Sequence, residues 1–194
     1  MWGLKVQNKF YAGIGSRKTP DNILQLMEWI GHYLGARGRV LRSGGAEGAD
    51  TAFEKGCDGA KGRKEIFLPW KGYNNNPSTL YYKGKEIPNS IRDESFELAS
   101  KYHPAWGNCS YGAKCLLARD GLQVLGRDLK TPVAMVLFWS PNPNHGGTSQ
   151  ALRIAKDHGA VIFNLGEKVD REMIINRMEL EADFLGETTH NLFK

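Results

Sequence analysis

The chain has 194 residues, 41% of them hydrophobic and 24% charged, with a formal net charge of +5. That length supplies one domain with a full core, and no apolar run approaches the length that spans a membrane. The mild positive charge admits a nucleotide or nucleic-acid partner without requiring one, because the lysines and arginines are spread along the chain. Met1 to Lys9 lacks the apolar core of a signal peptide. The three cysteines, Cys57, Cys109 and Cys115, form no even disulfide framework. A reducing, cytoplasmic location is therefore expected.

In chain order, Lys9 to Ala12 reads as a first strand that enters the turn Gly13-Ile14-Gly15-Ser16-Arg17. Thr19 and Pro20 suit a helix start, and Ile23, Leu24, Met27, Ile30 and Leu34 recur at helical spacing. Arg39 to Ser43 is a second strand. The turn Gly44-Gly45-Ala46-Glu47-Gly48 follows, then a helix that closes near Gly56 to Gly62. Glu65 to Leu68 is a third strand. Pro69 to Ser90 shows no clean period, and so long a connection in a compact domain is usually functional or mobile. Helices are predicted over Arg92 to Tyr102 and Ser110 to Leu125, with Ser110 as cap. Val133 to Trp139 is the most apolar strand and leads through Pro141 to His145 into Gly146-Gly147-Thr148. A helix over Ser149 to Asp157, a strand over Val161 to Leu165 and a helix over Arg171 to Phe184 complete the chain.

This alternation predicts a single α/β domain over residues 1–194, Rossmann-like, with a mainly parallel sheet and helices on both faces. Right-handed crossovers place all the strand-to-helix turns at one edge of that sheet, where such folds bind their ligands. The three glycine turns are thus expected to meet. Gly44 and Gly45 remove Cβ atoms that would block another molecule's approach, and a free helix start attracts an anion such as phosphate. A tight turn without a ligand is the alternative for any one of them. The first turn lacks the third glycine of the dinucleotide fingerprint, and no Gly-Lys-Ser/Thr loop is present. These features argue against a nicotinamide dehydrogenase and a P-loop NTPase.

The turns resemble those of the DprA/Smf–LOG superfamily of nucleotide-binding domains, often called SLOG. Gly13-Ile14-Gly15-Ser16-Arg17 is similar to the opening Gly-Ser-Arg turn of DprA-type proteins. Ser43 to Asp50 is similar to their Ser-Gly-Gly/Met-Ala-x-Gly-Ile-Asp motif, and Gly146-Gly147-Thr148 to the superfamily's third glycine turn. The likeness covers roughly Lys9 to Leu165 and is nearest to small single-domain DprA-like proteins of phages and bacteria. It implies a crevice that holds a nucleotide, a nucleotide-derived signal or single-stranded DNA. It also implies two alternatives: LOG-like hydrolysis of the N-glycosidic bond of nucleoside monophosphates, and recombination mediation, in which recombinase is loaded on single-stranded DNA. A homo-oligomer is expected on the same ground. At 194 residues the chain is expected to be a single domain without the further domains of full-length DprA. It carries Gln150 and Ala151 where LOG enzymes have paired glutamates.

The nucleotide-binding candidates are Gly13, Gly15, Ser16, Arg17, Ser43, Gly44, Gly45, Ala46, Gly146, Gly147 and Thr148. Arg17 is the main cation, able to grip a phosphate with two hydrogen bonds. Arg42 has an uncertain direction, and Lys71, Tyr73 and Trp70 are candidate stacking or pairing groups. The catalytic candidates are Glu47, Asp50 and Asp120. Glu47, at a turn tip, is favoured to meet a ribose. Asp50 sits where it can bond backbone N–H groups instead, and Asp120 beside Arg119 reads equally as a surface ion pair. His103, Cys109, Cys115 and His145 lack metal-ligand spacing, so no metal is expected. No cofactor is required beyond a bound nucleotide.

Overall fold

The computed structural model describes residues 8–144 and 146–184. Five strands and six α-helices follow one another among them, alternating except where α3 and α4 both lie between β3 and β4: β1 (Phe10–Gly15), α1 (Asp21–Ala36), β2 (Val40–Ser43), α2 (Ala49–Gly59), β3 (Arg63–Ile66), α3 (Asn89–Tyr102), α4 (Tyr111–Leu125), β4 (Met135–Trp139), α5 (Gly146–Asp157), β5 (Val161–Asn164) and α6 (Lys168–Phe184). The strands form one sheet in the order β3-β2-β1-β4-β5, and every neighbouring pair is parallel. The fold is therefore Rossmann-like α/β. No helix among the described residues is long and apolar enough to cross a membrane.

Each central strand feeds two cores, because successive side chains point to opposite faces. Tyr11 and Leu137 pack with Ile23, Met27 and Ile30 of α1, Phe53 of α2 and Met178 of α6. Ala12, Ile14, Val136 and Phe138 pack with Ala99 of α3, Leu122 of α4 and Ile154 of α5. Helices α1, α2 and α6 thus cover one face, and α3, α4 and α5 the other. The chain winds outward from β1 to β3, then returns to place β4 on the free side of β1. This reversal opens a crevice between the carboxyl ends of β1 and β4.

Several boundaries differ from the sequence expectation. β1 runs on through Gly13 to Gly15, paired with Leu137 to Trp139, so the first glycine turn is largely strand. Pro20 rather than Thr19 is the N-cap of α1, and Thr19 donates its hydroxyl to the Ser16 carbonyl at 2.7 Å. β3 ends at Ile66, and Leu68 makes an isolated bridge to Tyr81. α5 already includes Gly146 and Gly147, so the third turn is the first turn of a helix. Ser110 caps α4 as expected, accepting the Ala113 N–H at 3.3 Å.

The long 69–88 connection is tied down along its length. Ser78 donates to the Ile66 carbonyl, Asn74 to the Gly45 carbonyl and Asn76 to Glu54. Leu80, Tyr82 and Ile87 are buried in it. At its far end, Glu86 pairs with Arg127, which also pairs with Glu65. Arg42 points away from the crevice. It is buried, bonded to Glu65 and the Thr131 carbonyl, and stacked on Phe10.

Candidate functional site

A cavity of about 360 Å³ lies in the crevice at the switch point. Its lining comes from the end of β1 (Ile14, Gly15), the loop after it (Arg17), the β2–α2 turn with the start of α2 (Ala46, Asp50), Tyr73, one side of α4 and the first turn of α5. The α4 residues include Leu116, Leu117, Arg119, Asp120 and Gln123, and the α5 residues are Gly146, Gly147 and Thr148. His103 and Cys109, from the segment between α3 and α4, complete one wall.

All three glycine stretches contribute to this cavity, but their residues do different work. Gly13 makes room for Phe53, whose ring would lie 2.4 Å from an added Cβ. Gly44 makes room for the Arg119 guanidinium, and Gly45, with φ +65°, for Leu68 and Ile66. Ser43 is fully buried and donates its hydroxyl to the Gly13 carbonyl at 2.6 Å. Gly13, Ser43, Gly44 and Gly45 therefore serve packing between chain segments and are absent from the cavity lining. Ser16 does not line the cavity either. Its hydroxyl accepts the Lys18 N–H, and its own N–H bonds the Trp139 carbonyl. Gly146 and Gly147 line the cavity. Among the described residues, and chain neighbours aside, nothing lies within 4 Å of a Cβ at Gly146, and at Gly147 only Asp120 Oδ2 does, at 3.4 Å.

Of the charged candidates, Glu47 is exposed and absent from the cavity lining. Arg17 lines the cavity and is steered by Tyr73, whose hydroxyl accepts from Nη2 at 2.7 Å. Tyr73 in turn packs edge-on against Trp70. Thus Tyr73 acts on Arg17 directly.

Asp50 and Asp120 are both buried, at 3% exposure each, and so is Arg119 at 8%. Arg119 and Asp120, for which a surface ion pair is one of two readings of the sequence, form an internal cluster. The sequence did hold a signal: these two charges, with Gln123, interrupt an otherwise apolar stretch, Cys115 to Leu125. Arg119 Nη1 donates to the Gly44 carbonyl at 2.6 Å and lies 3.7 Å from Asp50 Oδ2. Its Nη2 lies 3.4 Å from Asp120 Oδ1. With the Gln123 amide oriented to satisfy both its ends, its nitrogen donates to Asp120 Oδ1 at 3.1 Å and its oxygen accepts the Gly44 N–H at 2.7 Å. Asp50 Oδ2 accepts the Ala46 N–H at 3.3 Å. Asp120 Oδ2 has no partner among the described residues.

Burial raises the Asp50 carboxyl above its usual range, against the pull of Arg119 and of backbone N–H groups. Burial likewise pushes Asp120 up to about 7; Arg119 opposes the rise and Asp50 adds to it. The arrangement gives one guanidinium at the cavity mouth, a second at its floor, a helix N-terminus, and a carboxyl poised between charged and neutral.

Sequence reasoning also set aside His103 and Cys109, whose spacing carries no motif. The fold brings them together on the cavity wall, with Cys109 Sγ 3.8 Å from His103 Nδ1. Gln150, the residue at the place of a LOG glutamate, is buried away from the cavity lining and donates to the Leu117 carbonyl at 2.7 Å. His145 lies outside the described residues. Comparison of the chain with family models, curated proteins and solved structures gave no match.

Proposed function

We propose that this chain binds a phosphorylated nucleotide or nucleotide-derived molecule in the crevice between β1 and β4. The observation that carries the reading is the convergence of Arg17, the open glycines at the α5 N-terminus and the buried Arg119–Asp120 pair on one cavity. Arg17 and the α5 N–H groups suit a phosphate, by charge-assisted bonding and by the helix dipole. A volume of about 360 Å³ falls at the lower end of small-ligand cavities, which run to roughly 300–1,000 Å³, and suits one nucleotide. The likeness of its turns to SLOG domains favours the same ligand class. The first test is mass spectrometry of small molecules released when the purified protein is denatured. A phosphorylated nucleoside is the expected species, and calorimetry with adenosine 5′-monophosphate (AMP) and its relatives then ranks affinities. Failure of every nucleotide to bind would remove the reading.

Asp120 favours a second reading, hydrolysis of the N-glycosidic bond. A carboxyl with one oxygen held and the other free can protonate a leaving base or steady the positive charge that develops on the sugar. Incubation with ribo- and deoxyribonucleoside monophosphates, followed by chromatography for free base, tests it. Turnover abolished by Asp120→Asn and retained by Glu47→Gln would support hydrolysis at Asp120. No release of base would leave binding alone.

A further inference from the structure

The charges on the cavity floor do not balance. Arg119 is shared by two buried carboxyls, Asp50 at 3.7 Å and Asp120 at 3.4 Å. A buried carboxylate is tolerated when paired and hydrogen-bonded, and one guanidinium cannot fully compensate two. The two acids differ in what else they touch. Asp50 accepts a backbone N–H, which favours its charged form. Asp120 has its donors, Arg119 and Gln123, on Oδ1. Its Oδ2 is buried without a partner among the described residues and is turned toward the Gly147 turn, at the cavity. A bare carboxylate oxygen there is costly, whereas a protonated one carries no charge and becomes a donor.

We infer that Asp120 works as a neutral acid whose Oδ2–H is donated to an acceptor atom of the ligand, so that the phosphorylated ligand is taken up together with a proton. This rests on the nucleotide reading above. The charge count points the same way. With Asp120 neutral, Arg17 and Arg119 face Asp50 alone and the cavity attracts an anion. With Asp120 ionised that attraction is cancelled. The ligand class this selects is a phosphate ester with a neutral oxygen or nitrogen acceptor beside the phosphate, such as a ribose oxygen or a base edge. Inorganic phosphate lacks that atom.

The titratable and charged groups around Asp120 are Asp50 from α2, Arg119 on its own helix and Tyr82 from the 69–88 connection. Arg17, Tyr73, His103 and Cys109 share the cavity wall. His103 is an ionisable neighbour on that wall, so the experiment must separate it from Asp120.

AMP affinity is measured by calorimetry from pH 5.5 to 8.5 for the wild type, Asp120→Asn and His103→Gln. The phosphate's own ionisation near pH ~6 acts on all three and cancels in their ratios. The expected result is that wild-type affinity, divided by that of Asp120→Asn, falls by about tenfold per pH unit above neutrality. His103→Gln keeps the wild-type slope. A ratio constant with pH, or a slope that disappears in His103→Gln, overturns the inference.

Absence of AMP binding at every pH would instead remove the nucleotide reading and the ligand half of the inference. The proton itself is decided in the free protein. A carboxyl that keeps its proton when folded but releases it when unfolded loses stability as pH rises from about 4 to 7. Thermal unfolding should therefore show the wild type losing ground to Asp120→Asn across that window and levelling off above it. A difference that stays constant from pH 4 to 8 would show Asp120 charged throughout and overturn the inference.

Discussion

The turn after β2 and the turn that opens α5 look alike in sequence and are used in opposite ways. Gly44, Gly45 and Gly48 are filled from within: Arg119 occupies the space beside the first, Leu68 and Ile66 beside the second, and the Ser16 carbonyl beside the third. Among the described residues Gly146 and Gly147 are left open, with Asp120 Oδ2 the sole neighbour in reach beyond the turn itself. A missing Cβ permits close approach and does not specify what approaches. In the first turn the approaching group is the protein itself, which locks β2 to α4 and α2 to the loop after β1. In the second, the space belongs to the cavity.

Breaking the first turn should cost stability, and the largest effect is expected at Gly48. Its φ of +80° is strained for any side chain, and an alanine Cβ would lie 2.6 Å from the Ser16 carbonyl oxygen, a backbone atom. Gly48→Ala should destabilise the fold by about 3 kcal/mol, read from chemical denaturation. Wild-type stability in this variant would show that the two loops are not packed as described. Gly45→Val should follow at about 2 kcal/mol, since φ is +65° and Leu68 and Ile66 fill the space. If Gly45→Val kept its melting temperature and lost only AMP binding, Gly45 would belong with the open turn instead.

The second pair of predictions probes the cavity side, where binding should change and the fold should not. Arg17 is exposed and engages Tyr73. Its replacement by alanine should cost about 2 kcal/mol of AMP affinity, with little change in unfolding. Tyr73→Phe releases the guanidinium without removing it and should cost about 1 kcal/mol of the same affinity. Equal affinity in all three proteins would take Arg17 out of the site. The smallest effect is expected from Gly147→Ala. Its methyl group would meet Asp120 Oδ2 at 3.4 Å, a contact the helix start tolerates. Stability should stay within ~0.5 kcal/mol of wild type, while AMP binding weakens several-fold as the methyl group enters the cavity. Unfolding at reduced temperature with binding intact would reverse the contrast between the two turns.

Sequence periodicity carried the architecture well because it records local burial. Ile23, Met27, Ile30 and Leu34 sit on one side of α1 and are buried. The apolar run from Met135 to Trp139 is a strand whose middle residues are buried, as parallel strands between two helix layers must be. Boundaries set by long-range pairing were less legible. β1 extends through Gly13 to Gly15 because β4 pairs with it there, not because glycine favours a strand. The 69–88 connection lacks periodicity, yet its polar side chains tie it down through bonds to Gly45, Glu54 and Ile66, partners distant in sequence.

The residues themselves therefore determined the alternation of strands and helices, the parallel sheet with two cores, and the gathering of turns at one sheet edge. Each follows from side-chain periodicity and the handedness of crossovers, which act along the chain. Only the tertiary structure decided which glycines face the protein and which face the cavity. It alone turned Glu47 outward, buried the Arg119–Asp120 pair, took up the Ser43 hydroxyl and set His103 beside Cys109. Those outcomes depend on which distant segment fills a given space. Close packing in three dimensions settles that, and a one-dimensional pattern does not encode it.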